Sequence, residues 1–300
     1  DSVKFFTRNN TNNASLRHLN LEIELRHAIA RKDLTVHYQP KMDLATGHVT
    51  AIEALVRWKH DTLGWISPNE FIPIAENAGL ISDIGEMVLE TACRHGTKWM
   101  EEGIPRVKIA INLSAKQLIR QDMLAQIKRI LKRTGFPADQ LIVELTESLL
   151  IDALDKTAAT LTSLRDMGIE IAIDDFGTGY STFKLLKRVP VDILKIDQMF
   201  IADLSDNPAD KAIAKAIIDV AHALHMRVVA EGVESKMHLT TLQELGCDSI
   251  QGFYLSEALP RIGISKLLRE GIPGITKQRT NADIEETKRK IAEQEKLVSA

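Results

Sequence analysis

Residues 168–175 read Gly168-Ile169-Glu170-Ile171-Ala172-Ile173-Asp174-Asp175, an apolar and β-branched run that ends on two adjacent carboxylates. Gly168 stops the helical pattern that precedes the run, and the run itself predicts a buried strand at 169–173. Runs of this kind alternate with amphipathic stretches along most of the chain, which is typical of parallel strands joined by helices. The sequence therefore favours the α/β class.

Eight strands are predicted in total, at 35–39, 48–57, 107–113, 141–145, 169–173, 193–196, 227–230 and 249–252. Helical patterns lie between them, for example at 210–225, where apolar residues recur at spacings of three and four. Eight strand-and-helix units in about 240 residues match the size of a TIM-like (β/α)8 barrel. An open doubly wound sheet is the alternative, although no GxGxxG sequence follows the first predicted strand.

The two ends of the chain differ from the middle. Residues 1–20 are rich in Asn, Thr and Arg with little periodicity, and they are interpreted as a linker from an upstream domain. Residues 21–260 form the predicted barrel domain, which a helix at 21–31 introduces. Residues 261–300 are predicted to be a C-terminal extension that is helical or partly disordered. Because the chain begins with Asp1 and not Met, it is expected to be a piece of a longer protein.

The composition excludes several kinds of partner. With 38 basic and 41 acidic residues among 300, the formal charge is -3, so neither a DNA or RNA duplex nor an anionic membrane surface is an expected partner. Cys93 and Cys247 cannot form a disulfide framework, which favours the cytoplasm and argues against structural zinc. No apolar run of 18 residues occurs, so membrane anchoring of the full-length protein would require an upstream segment.

Carboxylates, amides and one lysine interrupt or end the predicted strands. They are Glu53, Asn112, Glu144, Asp174, Asp175, Lys195, Glu231 and Gln251. A barrel gathers the carboxyl ends of its strands around one mouth, so these residues are expected to converge. Several buried carboxylates in one place are unfavourable without cations, and oxygen ligands favour Mg²⁺ or Mn²⁺. The adjacent Asp174 and Asp175 suggest two ions, an arrangement typical of phosphate-ester hydrolysis.

Each of these residues also has a purely structural interpretation. Glu53 taken alone is more often a surface residue or a helix cap. The stretch 174–179 could be only a turn in which glycine supplies positive φ. Lys195 could simply pair with Asp192 or Asp197. The expected convergence at one mouth is what favours the functional interpretation.

The motifs around these residues resemble those of a known family. Glu53-Ala54-Leu55-Val56-Arg57-Trp58 is similar to the signature of EAL domains, which hydrolyse the bacterial second messenger cyclic di-GMP to linear pGpG. Further motifs follow in the family's order: 38–40, 112–114, 144–147, 174–181, 195–197, 230–234 and 251–252. The resemblance covers roughly 240 residues. It implies a TIM-like barrel whose first strand is antiparallel to the rest, and a metal-dependent phosphodiesterase in bacterial signalling.

The resemblance also implies roles for individual residues. The metal ligands look like Glu53, Asn112, Glu144, Asp174 and Asp175. Glu231 looks like a support for the site, Lys195 like the neighbour of the attacking water, and Gln251 like the group that completes the site beside them. Gln39 and Arg57 look like contacts to the phosphates or a guanine edge of the substrate. Glu147 and Glu234 look like acids behind the ligands, and the family's counterpart of Glu147 holds the loop at 174–181.

Two Mg²⁺ or Mn²⁺ ions per site, inhibition by Ca²⁺ and a homodimer through residues 178–187 are further expectations. Residues 5–21 resemble the junction that follows a GGDEF domain in tandem proteins. Two other classes stay open. One is a receptor module that binds cyclic di-GMP without turnover, and the other is a metal-dependent lyase or isomerase on the same fold.

Overall fold

A computed structural model describes residues 8–119, 122–177, 186 and 189–275, with the backbone alone for 8–16, 115 and 148–156. The strands are β1 (Leu34–Asp43), β2 (Val49–His60), β3 (Gly64–Ile66), β4 (Lys108–Asn112), β5 (Leu141–Thr146), β6 (Glu170–Phe176), β7 (Ile193–Ile196), β8 (Arg227–Ala230), β9 (Ser249–Gln251) and β10 (Leu259–Pro260). The helices are α1 (Arg8–Arg31), α2 (Pro68–Asn77), α3 (Ile81–Glu101), α4 (Ala115–Leu118), α5 (Met123–Thr134), α6 (Glu147–Asp166), α7 (Pro208–Ala223), α8 (Lys236–Leu245) and α9 (Arg261–Glu270).

Eight of these strands close into a barrel. Their order is β1-β9-β8-β7-β6-β5-β4-β2, and the pairing of β1 with β2 closes the ring. β1 is antiparallel to both of its neighbours, whereas β2 and β4 to β9 are parallel to one another. The predicted TIM-like barrel and its antiparallel first strand are confirmed, and the open doubly wound sheet is excluded. Two further short strands were not predicted from the sequence: β3, which pairs antiparallel with β2, and β10, which pairs antiparallel with β1.

The direction of β1 follows from the short connection to β2. Only residues 44–48 separate the two strands, and a parallel pair would need a crossover of about a dozen residues or more. The Asp43 carboxylate accepts hydrogen bonds from the backbone N–H and the hydroxyl of Thr46, both at 2.7 Å, and Gly47 has a φ of 67°. This tight turn reverses the chain, so β1 and β2 form a hairpin.

The helices cover the outside of the barrel. On α3, Ile84, Val88 and Ala92 lie on one buried face and contribute to the large core between strands and helices. The end helices join this layer, since Leu25 on α1 and Ile264 on α9 are fully buried. Helix α1 begins at Arg8, within the predicted linker, and α9 lies beyond the predicted boundary at 260, so both boundaries stay predictions. Residues 276–300 lie outside the described part.

Inside the barrel, side chains form layers because successive residues of a strand point to opposite faces. A separate buried cluster makes the middle layer, which consists of Ala51, Ala110, Ile142, Ala172, Ile193 and Val229. Residues two positions earlier lie at the amino ends of the strands, where Glu170 pairs with Lys108 and with Arg227, the latter at 2.7 Å. These ion pairs form the floor of the barrel. Residues two positions later lie at the mouth.

No helix in the described ranges is both long enough and apolar enough to cross a bilayer.

The floor pairs should contribute to stability, and Glu170→Gln tests this. Burial alone would raise the pKa of Glu170, but Arg227 and Lys108 outweigh it and hold the pKa below 4.5. The ion pairs therefore stabilise the fold above about pH 4.5, and this stabilisation is lost as the pH falls through the folded-state pKa. We expect Glu170→Gln to lower the free energy of unfolding by about 1–3 kcal/mol at pH 7 and by much less at pH 3.

Urea unfolding at both pH values measures the difference. Glu244→Gln is the matched control, because the carboxylate of Glu244 is 63% exposed and its pair with Lys211 is 3.5 Å long. That control should change stability by less than about 0.5 kcal/mol. A Glu170→Gln protein as stable as the control at pH 7 would contradict the role of the floor pairs.

Candidate active site

The mouth layer gathers the residues that the strand ends supply. Six of them follow a middle-layer residue by two positions, as Glu53 follows Ala51 and Lys195 follows Ile193, and Gln251 follows Ser249 in the same way. The alternation of a strand thus aims both members of such a pair into the barrel. The gathered set from seven strands of the ring is Glu53, Asn112, Glu144, Asp174, Lys195, Glu231 and Gln251.

Lys195 lies at the centre of this set. Its side chain is fully buried, and its Nζ lies 2.8 Å from a carboxylate oxygen of Glu144, 2.8 Å from one of Glu231 and 2.9 Å from one of Asp174. A longer pair of 3.5 Å joins it to Glu53. Burial alone would lower the pKa of Lys195, but these carboxylates raise it well above 10.5. The group is therefore an ammonium ion, and the alternative pairing with Asp192 or Asp197 alone is wrong.

The adjacent Asp174 and Asp175 lie where the pairing of β6 with β7 becomes irregular. The register shifts between Ile173 and Phe176, and Asp175 has a φ of 55°, which is uncommon for a residue other than glycine. In a regular strand two neighbouring side chains would point to opposite faces. Here oxygens of both carboxylates lie within 4.8 Å of each other and of Glu231. The irregularity thus brings the pair to the same side of the mouth.

Glu53 is held by neutral donors as well as by cations. The side-chain amide of Asn112 donates to Oε1 at 2.7 Å, and that of Gln251 donates to Oε2 at 2.8 Å. Burial would raise the pKa of Glu53, but Lys195, Lys41 and these two hydrogen bonds lower it to about 2. Glu53 is therefore ionised at all ordinary pH values and is aimed by its neighbours.

Other carboxylates of the cluster are short of positive charge. Burial raises the pKa of Glu144 in spite of two neighbouring lysines, and it raises the pKa of Glu231 to about 8 against the effect of Lys195. Burial and the Asp174 carboxylate raise the pKa of Asp175 to about 6. Five carboxylates thus share two ammonium groups among the described residues.

This arrangement fits divalent cations. Glu53, Glu144 and Asp174 form one group whose oxygens lie within 4.8 Å of one another, and Asp174, Asp175 and Glu231 form a second. Asp174 belongs to both, as expected of a carboxylate that bridges two ions. The ligand atoms are all oxygens, which favours a hard ion over zinc. Added positive charge would relieve the repulsion that raises these pKa values.

An open cavity of about 730 Å3 adjoins the cluster on the side of α2 and α3. Arg57, Asn112, Asp174 and Asp175 line it together with apolar side chains such as Ile84. Its size falls in the range of small-molecule sites. Arg57 is half-buried and donates to the carbonyl of Val56 at 2.9 Å. It lines the same cavity wall as Asn112 and Asp174. Burial lowers the pKa of Arg57, and Glu53 lies close enough for its carboxylate to oppose that effect.

The remaining predicted residues lie around this centre. Gln39 accepts a hydrogen bond of 3.1 Å from Gln251, which places it at the edge of the cluster. Glu147 is buried and accepts a hydrogen bond of 2.7 Å from the backbone N–H of Gly177, which lies in the predicted loop at 174–181. Glu234 is exposed, and in the part of the chain that the structure describes its carboxylate makes no ion pair with the cluster. The predicted interface at 178–187 lies outside the described residues except for Leu186.

Lys41 is a member of the cluster that was not predicted from the sequence. This residue of β1 is 3% exposed, and its ammonium contacts Glu144 and lies 3.9 Å from Glu53. The available signal was a lysine two positions after Gln39 in a buried strand, since the two share a face.

The structure is a closed TIM-like barrel with a cluster of carboxylates at the carboxyl ends of its strands. It belongs to the class of barrel proteins that carry a candidate metal centre at the mouth. The family model of the EAL domain matches residues 22–258 of this chain. The chain therefore belongs to the EAL-domain family.

Relatives of known name support the same assignment. The chain is 40% identical over 269 residues to the cyclic di-GMP phosphodiesterase NbdA of Pseudomonas aeruginosa, covering 90% of this chain and 34% of that protein. It is 41% identical over 255 residues to the bifunctional diguanylate cyclase/cyclic di-GMP phosphodiesterase MucR of the same organism, covering 85% and 37%. The chain thus spans about a third of the length of these curated relatives.

A solved structure described as the PaMucR phosphodiesterase in complex with c-di-GMP superposes with a TM-score of 0.79 at 41% identity. The match covers 82% of this chain and 99% of that one. The fold of this chain therefore has a counterpart that is described as a complex with c-di-GMP.

Proposed function

We propose that this chain hydrolyses cyclic di-GMP to linear pGpG as a metal-dependent phosphodiesterase in bacterial second-messenger signalling. The observation that carries the proposal is the cluster in which Lys195 contacts Glu144, Asp174 and Glu231 beside an open cavity. The similarity to NbdA and MucR, whose names state this activity, supports the same reaction.

The residues proposed to hold two Mg²⁺ or Mn²⁺ ions are Glu53, Asn112, Glu144, Asp174 and Asp175. Bound ions of this kind would lower the pKa of a nucleophilic water and neutralise charge on the phosphate. Asn112 and Gln251 hold the carboxylate of Glu53 from two sides, so that its orientation is fixed before an ion arrives. Glu231 is proposed to support the site from its far side.

Lys195 is proposed to position the attacking water and to stabilise developing negative charge. Its carboxylate neighbours raise its pKa, which favours a role as a hydrogen-bond donor over that of a general base. Arg57 at the cavity wall is proposed to bind a substrate phosphate, and Gln39 a phosphate or guanine edge. Glu147 is proposed to hold the loop after β6 through the N–H of Gly177. The exposed Glu234 is proposed to act only at a distance from the reacting groups.

A receptor module without turnover is the second candidate. Binding of cyclic di-GMP without turnover would not require two clusters of carboxylates that can each hold a metal ion, nor a buried lysine between them. The complete set therefore favours catalysis over recognition.

We also propose that the domain acts in the cytoplasm and forms a homodimer through residues 178–187. Buried free Cys93 and Cys247 fit a reducing compartment. The loop after β6 directly follows Asp174 and Asp175, so contacts made by that loop would be felt at the candidate metal site.

Activity should require Mg²⁺ or Mn²⁺ and should be suppressed by Ca²⁺. Ca²⁺ prefers longer bonds and a looser, higher coordination number, which would misplace water and substrate. Chromatographic separation of cyclic di-GMP from pGpG after incubation with each ion measures this. Equal turnover in Ca²⁺ and Mg²⁺ would contradict the proposed geometry, and tight binding without any product would favour the receptor.

Glu53→Gln and Lys195→Met should differ in kind. Glu53→Gln should weaken metal binding and substrate affinity together and lower turnover by several orders of magnitude. Lys195→Met should lower kcat by about 10² to 10⁴ with little change in affinity, because its interaction matters most in the transition state. Calorimetry with cyclic di-GMP in Ca²⁺ gives affinity, and steady-state kinetics in Mg²⁺ give kcat.

Lys211→Met is the control for these variants, since Lys211 lies on an exposed face of α7 and should leave both quantities unchanged. A Lys195→Met protein with the kcat of wild type would remove Lys195 from the mechanism and leave it as a structural counter-ion.

The proposed homodimer predicts that turnover rises with protein concentration as subunits associate. Sedimentation velocity and specific activity, measured over the same concentrations, should show the two changes together. A fully active monomer at every concentration would reject the link between the loop and the site.

A further inference from the structure

Lys41 has an unusual position in the barrel. Because β1 is antiparallel to its neighbours, the chain descends from the mouth as it passes from Gln39 to Lys41. Lys41 lies opposite Ala51 of the middle layer, and it is 3% exposed. The alanine leaves room beside it for a long side chain. On its other side Lys41 lies opposite Gln251 of the mouth, so it joins the acidic cluster from the one reversed strand, whereas the other charged groups come from the parallel strands.

The two lysines divide one carboxylate between them. Lys41 contacts Oε1 of Glu144, and Lys195 contacts Oε2 of the same group at 2.8 Å. Lys195 also touches Asp174 and Glu231, so it lies where both groups of candidate ligands meet. The ion pairs of Lys41 within the described residues are with Glu144 and Glu53. Lys41 thus lies to one side of the space that an ion would occupy.

We propose that Lys41 is a positioning residue of the metal centre, which fixes Oε1 of Glu144 and thereby commits Oε2 to the metal. This inference rests on the metal site of the proposed function and deepens it. The carboxylate of Glu144 is 1% exposed, so bulk solvent does not reach it to replace a missing donor. Without Lys41 the carboxylate keeps only the contact between its Oε2 and Lys195, so Oε1 loses its partner and either oxygen can turn toward the ion.

A simple electrostatic view leads to the opposite expectation. A positive charge close to a metal site repels the ion, so its removal should tighten metal binding. If Lys41 instead positions the carboxylate of Glu144, removal of the lysine should weaken metal binding. The sign of the change in metal affinity therefore separates the two explanations, and no measurement of turnover is needed.

Mn²⁺ binding to the full chain, measured by calorimetry and by electron paramagnetic resonance of free Mn²⁺, tests the proposal. Four proteins are compared: wild type, Lys41→Met, Glu144→Gln and the double variant. Methionine keeps most of the length of lysine without charge or donor. We expect at least tenfold weaker binding in Lys41→Met and in Glu144→Gln. The double variant should bind Mn²⁺ as weakly as Glu144→Gln does, because Lys41 acts through Glu144.

Three results would overturn the role of Lys41. The first is Mn²⁺ binding in Lys41→Met that is as tight as in wild type or tighter. The second is tighter Mn²⁺ binding in the double variant than in Glu144→Gln, and the third is a double variant whose loss of affinity is the product of the two single losses. Should Lys41→Met fail to fold in a thermal melt, the double variant still decides, because it removes both buried charges together. A wild-type chain that binds no Mn²⁺ would instead refute the proposed metal site, and this role with it.

Discussion

The ammonium of Lys195 among the carboxylates of Glu144, Asp174 and Glu231 is the interaction on which the site depends. A charge buried this deeply is tolerated only with close partners of opposite sign. The carboxylates in turn could not share one mouth without cations, and burial still raises the pKa of several of them. The barrel therefore holds a cluster that is ready to accept further positive charge.

The barrel makes this cluster possible through the period of its strands. Floor, middle and mouth lie two residues apart, so that Glu170, Ala172 and Asp174 of one strand contribute to all three layers. The floor is closed by ion pairs and the middle layer by apolar side chains. Only the mouth is left with charge in excess of its partners, and the cavity opens there.

Two departures from regular parallel strands change which side chains reach the acidic cluster. The irregular pairing of β6 and the positive φ of Asp175 bring two neighbouring carboxylates to one side. The reversed strand β1 adds Lys41 to the cluster, between Ala51 of β2 and Gln251 of β9. Both features lie beside the acidic cluster, which is consistent with local irregularity being retained where function requires it.

The amino-acid sequence by itself determined the eight strands of the barrel, because apolar runs and glycine stops are local signals, and it also identified the carboxylates that end those runs. The antiparallel direction of β1 was taken from the family resemblance, although five residues between β1 and β2 already exclude a parallel crossover. Tertiary structure alone decided that Lys41 joins Glu144 and that Glu234 stays exposed. These outcomes depend on which side chains meet across the closed barrel, and such distances between strands are not contained in any local pattern.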